Sequence, residues 1–247
     1  MSRYLLVSLM LAILPLTAQT VAVESLYAAA VRADHPVAYY QLGEAPGATV
    51  AADSSGNGNN GTYELNPVLG VSGLINNPAA TAVDFVGAGN VTIPNAADLN
   101  FVNAPFTIEA WVNGTLSTEQ CCQGNARIFD KSEAYYPLGY GIDLAATNVR
   151  MLGGLTTFSV GATLSSNTTY YVVGVSNGRG RGAIYVNGRL VGVGEYTPNS
   201  PYTQPAHIAV ASDGQAAHFD GVIQEVAVYN YVLPQSRIVA HYEAGIH

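Results

Sequence analysis

The pattern that most constrains this 247-residue chain is the alternation of apolar and polar residues that dominates it after residue 22. A period of two residues is typical of β-strands that bury one face. The alternating runs are short, and turn-forming residues interrupt them about every eight to twelve residues. No linker long enough to divide the chain is present. The sequence therefore predicts one all-β domain, a β-sandwich of two antiparallel sheets.

The strands are predicted from alternation and from the turn residues that bound each run. The predicted strands are residues 37–42, 81–86, 91–94, 106–116, 126–130, 140–144, 149–152, 158–164, 169–175, 183–186, 189–191, 207–211 and 222–229. Between two of them, Asn187-Gly188 favours a type I′ turn, in which both central residues need positive φ. A short helix is predicted at 25–33 and a terminal helix at 234–244, with Gly245 ending the second.

Charge argues against nucleic acid as a partner. The chain has nine Lys and Arg against seventeen Asp and Glu, a formal net charge of −8. Nucleic-acid binding proteins need clustered basic residues that displace counterions from phosphates, and no such cluster occurs here.

The two cysteines, Cys121 and Cys122, are neighbours, and Cα atoms about 3.8 Å apart are too close for an ordinary disulfide.

Residues 1–22 differ from the rest of the chain. Arg3 precedes an apolar run at 4–16, and small residues follow at 20–22, which is the layout of a secretory signal peptide. The run is too short for a transmembrane helix and contains Pro15. The alternative is an apolar arm that is retained and buried in an assembly such as a virus particle. In both interpretations residues 23–247 form the folded domain.

The turn-rich segment 52–63 carries oxygen ligands of the kind that calcium prefers. Asp53, Asn57 and Asn59 lie in it, and Asp220 precedes the last long strand. Calcium takes six to eight oxygens from carboxylates, amides and carbonyls on loops, so these four residues are candidate ligands. The alternative is that Asp53 and the asparagines only cap turns and tolerate positive φ.

Tyrosines in two loop-like segments are the candidate ligand contacts. A sugar site combines aromatic faces with polar groups in a groove. The candidates are Tyr135, Tyr136 and Tyr140 in one segment and Tyr196 and Tyr202 in the other. The alternative is that these tyrosines lie at strand edges and in contacts between subunits. Trp111 belongs to a strand and is expected to be a packing residue.

Five segments in order resemble a known family. They are SLYAAAVRADHPVAYYQLGE, DSSGNGNNGTY, AVDFVGAGNVTIP with FTIEAWVN, IYVNGRLVG, and FDGVIQEVAVYNYVL with IVAHYEAG. Together they resemble the laminin-G-like branch of the concanavalin A-like lectin/glucanase superfamily over about residues 25–247. The resemblance implies a jelly roll in which one sheet curves into a groove. It also allows calcium at loop carboxylates.

Three functions are compatible with that resemblance. The first is a non-catalytic lectin-like module that binds glycans, extracellular after secretion. The second is a structural virion protein of a bacteriophage, a capsid decoration or tail component, that contacts a neighbouring structural protein at the virion surface. The third is a glycoside hydrolase, but the Glu-x-Asp-x-x-Glu strand of the hydrolase relatives is missing, and Glu109 and Asp143 each stand alone on a strand. A homo-oligomer is compatible with the first two.

Overall fold

The structure is a computed structural model that describes residues 24–101, 103–116, 125–133, 138–153, 158–197 and 202–247. These residues form two α-helices, one short 3-10 helix and sixteen strands. The helices are α1 (Leu26–Ala33) and α2 (Gln235–Ile246), and the 3-10 turn is Ala97–Leu99. The strands are β1 (Ala38–Tyr40), β2 (Val50–Ala51), β3 (Gly61–Glu64), β4 (Val68–Ser72), β5 (Thr81–Phe85), β6 (Asn90–Ile93), β7 (Phe106–Gly114), β8 (Asn125–Ser132), β9 (Gly139–Ala145), β10 (Asn148–Leu152), β11 (Phe158–Gly161), β12 (Tyr170–Ser176), β13 (Arg181–Val186), β14 (Arg189–Glu195), β15 (Ala206–Ile208) and β16 (Gly221–Tyr229).

The strands form two antiparallel sheets, each with eight strands in the described part of the chain. Sheet A has the order β14-β13-β12-β7-β16-β5-β4, and β1 pairs with β16 beside β5. Sheet B has the order β11-β10-β9-β8-β15-β6-β3-β2. Hairpins of consecutive strands alternate with pairs that are distant in sequence, such as β7 with β16 and β8 with β15, as in a jelly-roll sandwich. The predicted fold class is confirmed.

Two apolar layers hold the fold together. The larger layer lies between the sheets, where alternate residues of β7 such as Phe106, Ile108 and Ala110 meet sheet B. The second layer lies on the outer face of sheet A, which α1 and α2 cover. Trp111 is buried in this second layer and stacks on Tyr242, as expected for a packing residue. The two helices therefore cover the part of this face around Trp111.

Local signals in the sequence account for several element boundaries. Ser25 caps α1, and its Oγ accepts a hydrogen bond from the Ala28 amide at 3.0 Å. Asn187 and Gly188 both have positive φ, as the predicted hairpin requires.

No helix in the described ranges is long and apolar enough to cross a membrane. The prediction that 1–22 are a signal peptide or an arm falls outside the described residues.

Two predictions about the elements were wrong. Gly245 does not end the terminal helix, which continues to Ile246. The residue is a glycine because it lies against the Trp111 ring, which a Cβ would overlap. Strands β2, β3 and β4 were missed, since their segments are short and rich in glycine and in loop residues. Pairing of β4 with β5, of β3 with β6 and of β2 with β3 overrides that composition.

Candidate functional site

Two of the tyrosines predicted to contact a ligand are core residues. Tyr140 is 2% exposed and packs against the rings of Phe101, Phe106 and Phe129. Tyr196 is fully buried, and its hydroxyl donates to the Leu152 carbonyl at 2.7 Å. A ring without exposed surface cannot stack on a sugar, so the prediction was wrong for both.

Tyr202 is half-buried and lies beside the end of the β8–β9 hairpin. The Lys131 Nζ donates to the carbonyl oxygens of Tyr202 and Gln204 at 3.0 and 2.7 Å, and to Asn95 Oδ1 at 2.7 Å. Burial lowers the pKa of Lys131 to about 8. The lysine thus fixes the Tyr202 segment to β8, and ligand contact by Tyr202 stays a prediction.

The remaining predicted tyrosines, Tyr135 and Tyr136, lie outside the described residues. Their segment begins and ends at the same hairpin, where the Glu133 amide donates to the Leu138 carbonyl at 3.1 Å.

The four candidate calcium ligands do not form one site in the described structure. Asp53 accepts hydrogen bonds from three backbone amides, those of Tyr39, Ser55 and Asn59, at 2.8 to 2.9 Å. This is the turn-capping role given above as the alternative. Asp220 lies at the start of β16, near Asp84.

The other ligand-bearing groups are also engaged with the protein. The side-chain amides of Asn57 and Asn59 donate to the Val37 carbonyl at 3.0 and 2.9 Å. Among the described residues, no three His, Cys, Asp or Glu converge on a metal position. Calcium binding at this loop stays a prediction.

Two aspartates meet on the outer face of sheet B. Arg127 lies between them, with its Nε 2.7 Å from Asp130 Oδ2 and its Nη1 against Asp143 Oδ2. Arg150 Nε is 2.8 Å from Asp143 Oδ1, and Asp130 Oδ1 accepts from the Ser132 amide and hydroxyl. Burial raises the pKa of Asp130, although Arg127 opposes the shift. Since arginines and a serine already occupy these carboxylates, the arrangement favours an ionic clamp over an acid–base pair.

A second buried network joins the helices to sheet A. Glu109 on β7 is fully buried and accepts hydrogen bonds from the hydroxyls of Tyr27, Tyr171 and Tyr229. The His241 Nδ1 of α2 is 3.1 Å from Glu109 Oε2. Burial alone would lower the pKa of His241, but the Glu109 carboxylate raises it above its usual value. This network fixes both helices to the sheet and is inaccessible to solvent.

Glu225 lines a notch at the edge of sheet A. It sits on a β-bulge of β16 with φ of 58°, between the points where β5 and β1 pair with that strand. The cavity has a volume of about 390 Å³, and Glu24 and Arg32 line its outer part. Glu225 is 4% exposed, and burial raises its pKa to about 8. The Tyr39 hydroxyl donates to it.

An open cleft of about 530 Å³ lies where the chain passes from α1 into β1. We call it the α1–β1 cleft. Its lining residues come from three segments that surround this passage. They are Arg32, His35, Pro36 and Val37 from the passage itself, Ser55 and Asn57 from the following loop, and Asn230 and Tyr231 from the turn after β16.

Contacts within the protein hold the walls of the α1–β1 cleft in place. The Tyr231 hydroxyl donates to the Asp34 carbonyl at 2.6 Å, and its ring packs edge-on against Tyr229. In the loop that follows β2, Asn57 Nδ2 donates to the Val37 carbonyl and contacts Ser55 Oγ at 3.2 Å. The cleft thus combines a fixed aromatic ring with hydroxyl, amide and cationic groups. Sequence reasoning missed it, except that Asn57 was a candidate ligand for calcium.

Several solved structures share the fold. The binding domain of Paraclostridial Mosquitocidal Protein 1 superposes with a TM-score of 0.63 at 14% identity, covering 85% of this chain and 52% of that one. A structure of botulinum neurotoxin type C, whose cell entry depends on two ganglioside molecules, has a TM-score of 0.63 at 14% identity and covers 89% and 53%. The binding domain of botulinum neurotoxin DC in complex with SialylT gives 0.60 at 14% identity and covers 86% and 52%.

This chain therefore spans about half the length of the solved chains that it resembles. At 14% identity the likeness is one of fold. No curated protein matches the sequence significantly. The model of the laminin-G-like family, Laminin_G_3, matches residues 85–239, which is more than half of the chain. The chain belongs to the concanavalin A-like lectin/glucanase superfamily.

Proposed function

We propose that the protein is a non-catalytic, lectin-like module that binds a saccharide in the α1–β1 cleft and acts at an exterior surface. The observation that carries the proposal is the composition of the cleft. Tyr231 lines the cleft together with Ser55, Asn57 and Asn230, which carry hydroxyl and amide groups. Aromatic faces pair with the apolar side of a pyranose, and amides and hydroxyls pair with its OH groups.

Preorganisation supports the same role. The Tyr231 hydroxyl is already bonded to the Asp34 carbonyl, so the ring does not have to be ordered when a ligand arrives. The structural neighbours named above are binding domains, and one of them is in complex with SialylT. The buried aspartates of sheet B are bonded to arginines, which favours binding without turnover.

The test is a glycan array followed by calorimetry on the positive saccharides. Tyr231→Ala should weaken binding by roughly tenfold or more, because the stacking surface is lost. Tyr231→Phe keeps the ring but loses its bond to the Asp34 carbonyl, and should bind more weakly than the wild type but more tightly than Tyr231→Ala. Tyr185→Ala is the matched control, a half-buried tyrosine on β13 in sheet A. Circular dichroism confirms that each variant is folded.

Two results would contradict the proposal. Loss of binding in Tyr202→Ala, with Tyr231→Ala unaffected, would place the site at the end of the β8–β9 hairpin instead. The second result is no saccharide binding by the wild type at millimolar concentrations. A structural role, such as the predicted virion component, would then be the remaining hypothesis.

A further inference from the structure

The charge of the α1–β1 cleft is opposite to the charge of the chain. The chain has a net charge of −8, yet the described residues that line the cleft include the cationic Arg32 and the imidazole of His35 and no Asp or Glu. Both side chains belong to exposed residues. In a strongly acidic protein, an acid-free cavity with a guanidinium at its wall attracts anions to that place.

The carboxylates nearest to the cleft are already compensated. Asp34 Oδ2 is 2.7 Å from Arg237 Nε and 2.9 Å from His241 Nε2, so its charge is directed at α2. The Asp53 carboxylate accepts three backbone amides. Neither residue lines the cleft. An anion in the cleft would therefore meet little repulsion from Asp34 and Asp53.

Arg32 keeps donors for a ligand. Its guanidinium forms an ion pair with Glu24, with which it also lines the neighbouring Glu225 notch, but both side chains are more than one-third exposed, and such pairs are weak. A guanidinium has five N–H donors in a planar fork, so it can bind one carboxylate and still present an edge to another.

The end of α1 opposes an anion only weakly. Unpaired carbonyls at the C-terminus of a helix carry partial negative charge. Here the amides of Asp34 and His35 donate to the Val31 and Arg32 carbonyls at 3.1 Å. These bonds reduce the negative field at the cleft, and they hold His35 at the wall with a φ of 50°.

We propose that the α1–β1 cleft selects a sugar that carries a carboxylate, a uronic or sialic acid, with Arg32 as the main anion-binding residue and His35 beside it. The proposal rests on the saccharide-binding function above. The Tyr231 ring would hold the apolar face of the pyranose, the Asn57 and Asn230 side chains its hydroxyls, and the guanidinium its carboxylate. Charge-assisted, bidentate hydrogen bonds between a guanidinium and a carboxylate are stronger than hydrogen bonds between neutral groups.

The experiment compares each acid with its own methyl ester, which keeps size and stereochemistry but removes the charge. The probes are 3′-sialyllactose and trigalacturonate, with their methyl esters, measured by calorimetry on the full chain at low salt. The wild type should bind at least one acid roughly tenfold or more tightly than its ester. The acid that binds more tightly than its ester shows whether the cleft selects a sialic acid or a uronic acid.

Variants assign the preference to the cleft. Arg32→Gln should remove most of the preference for the acid over its ester. Arg189→Gln, the same charge change at an exposed position on β14, should keep the preference. His35→Asn, which tolerates the same backbone conformation, should reduce the preference in part.

The outcomes separate this proposal from the function on which it rests. Equal affinity for acid and ester in the wild type would overturn the carboxylate preference and leave saccharide binding intact. A preference that persists in Arg32→Gln would overturn the role of Arg32. Absence of binding to both acids, both esters and the neutral sugars of the array would overturn the function as well.

Discussion

Replacement of Glu225 by glutamine is expected to stabilise the domain at neutral pH, although the glutamate is buried and hydrogen-bonded. Glu225 is 4% exposed, and within the described part of the chain its hydrogen-bond donor is the Tyr39 hydroxyl. Burial raises the pKa of its carboxyl from 4.5 to about 8. The folded protein therefore retains a proton at pH 7 that the unfolded chain releases.

The sign and size of the effect follow from this difference in pKa. Since the folded state binds the extra proton, stability falls as the pH rises from about 4.5 to about 8. In the unfolded chain, pH 7 lies about 2.5 units above the pKa of this carboxyl, and the difference corresponds to about 3 kcal/mol of lost stability. Glutamine does not ionise, and its carbonyl oxygen can accept the Tyr39 hydroxyl. Glu225→Gln should thus match the wild type near pH 4.5 and exceed it by up to about 3 kcal/mol at pH 7.

Urea unfolding of both proteins at pH 4.5, 6 and 7 measures the difference. Glu243→Gln is the matched control, the same change at an exposed position of α2, and its effect should not vary with pH in this way. A glutamine variant less stable than the wild type at pH 7 would refute the reasoning. That result would mean that the carboxylate is ionised and compensated in the folded protein.

Three further changes test other contacts. Gly245→Ala should lower the free energy of unfolding by about 1–3 kcal/mol, despite the better helix propensity of alanine, because the methyl would overlap the Trp111 ring; an unchanged urea midpoint would contradict this. Lys131→Met leaves three oxygen acceptors without their ammonium and should cost about 2–4 kcal/mol in the same assay, whereas a loss below about 1 kcal/mol would argue that water replaces it. His241→Gln should cost more at pH 5.5 than at pH 8.5, because the Glu109 carboxylate raises the pKa of His241 and that stabilisation disappears as the pH rises through it; an equal loss of thermal stability at both values would refute the charge assignment.

The alternation in β7 shows how far sequence reasoning reaches. A period of two assigns Phe106, Ile108 and Ala110 to one face and Trp111 to the other, and the two apolar layers agree with this assignment. It gave no sign that Glu109 would be fully buried, since its tyrosine and histidine partners come from four distant segments. Faces follow from local periodicity, but the partners of a buried polar group depend on tertiary contacts.

The tyrosines give a sharper contrast. Tyr140 alternates with Ile142 and Leu144 on β9, so its burial could have been predicted from period two. For Tyr196 the local sequence misleads. A proline- and asparagine-rich loop follows it, yet its side chain turns into the core beside Gly182, where a Cβ would lie 2.9 Å from its own. The α1–β1 cleft could not be predicted, because its walls are almost 200 residues apart in sequence.

The position of Lys131 also determines how the protein reacts with chemical reagents. It is the single lysine of the sequence, and it is 1% exposed. Acylating dyes and amine-directed cross-linkers should therefore leave the ε-amine of the native fold untouched. They should modify it only when the end of β8 separates from the Tyr202 segment. The rate of that single modification, followed by mass spectrometry, would measure how often this part of the sandwich opens.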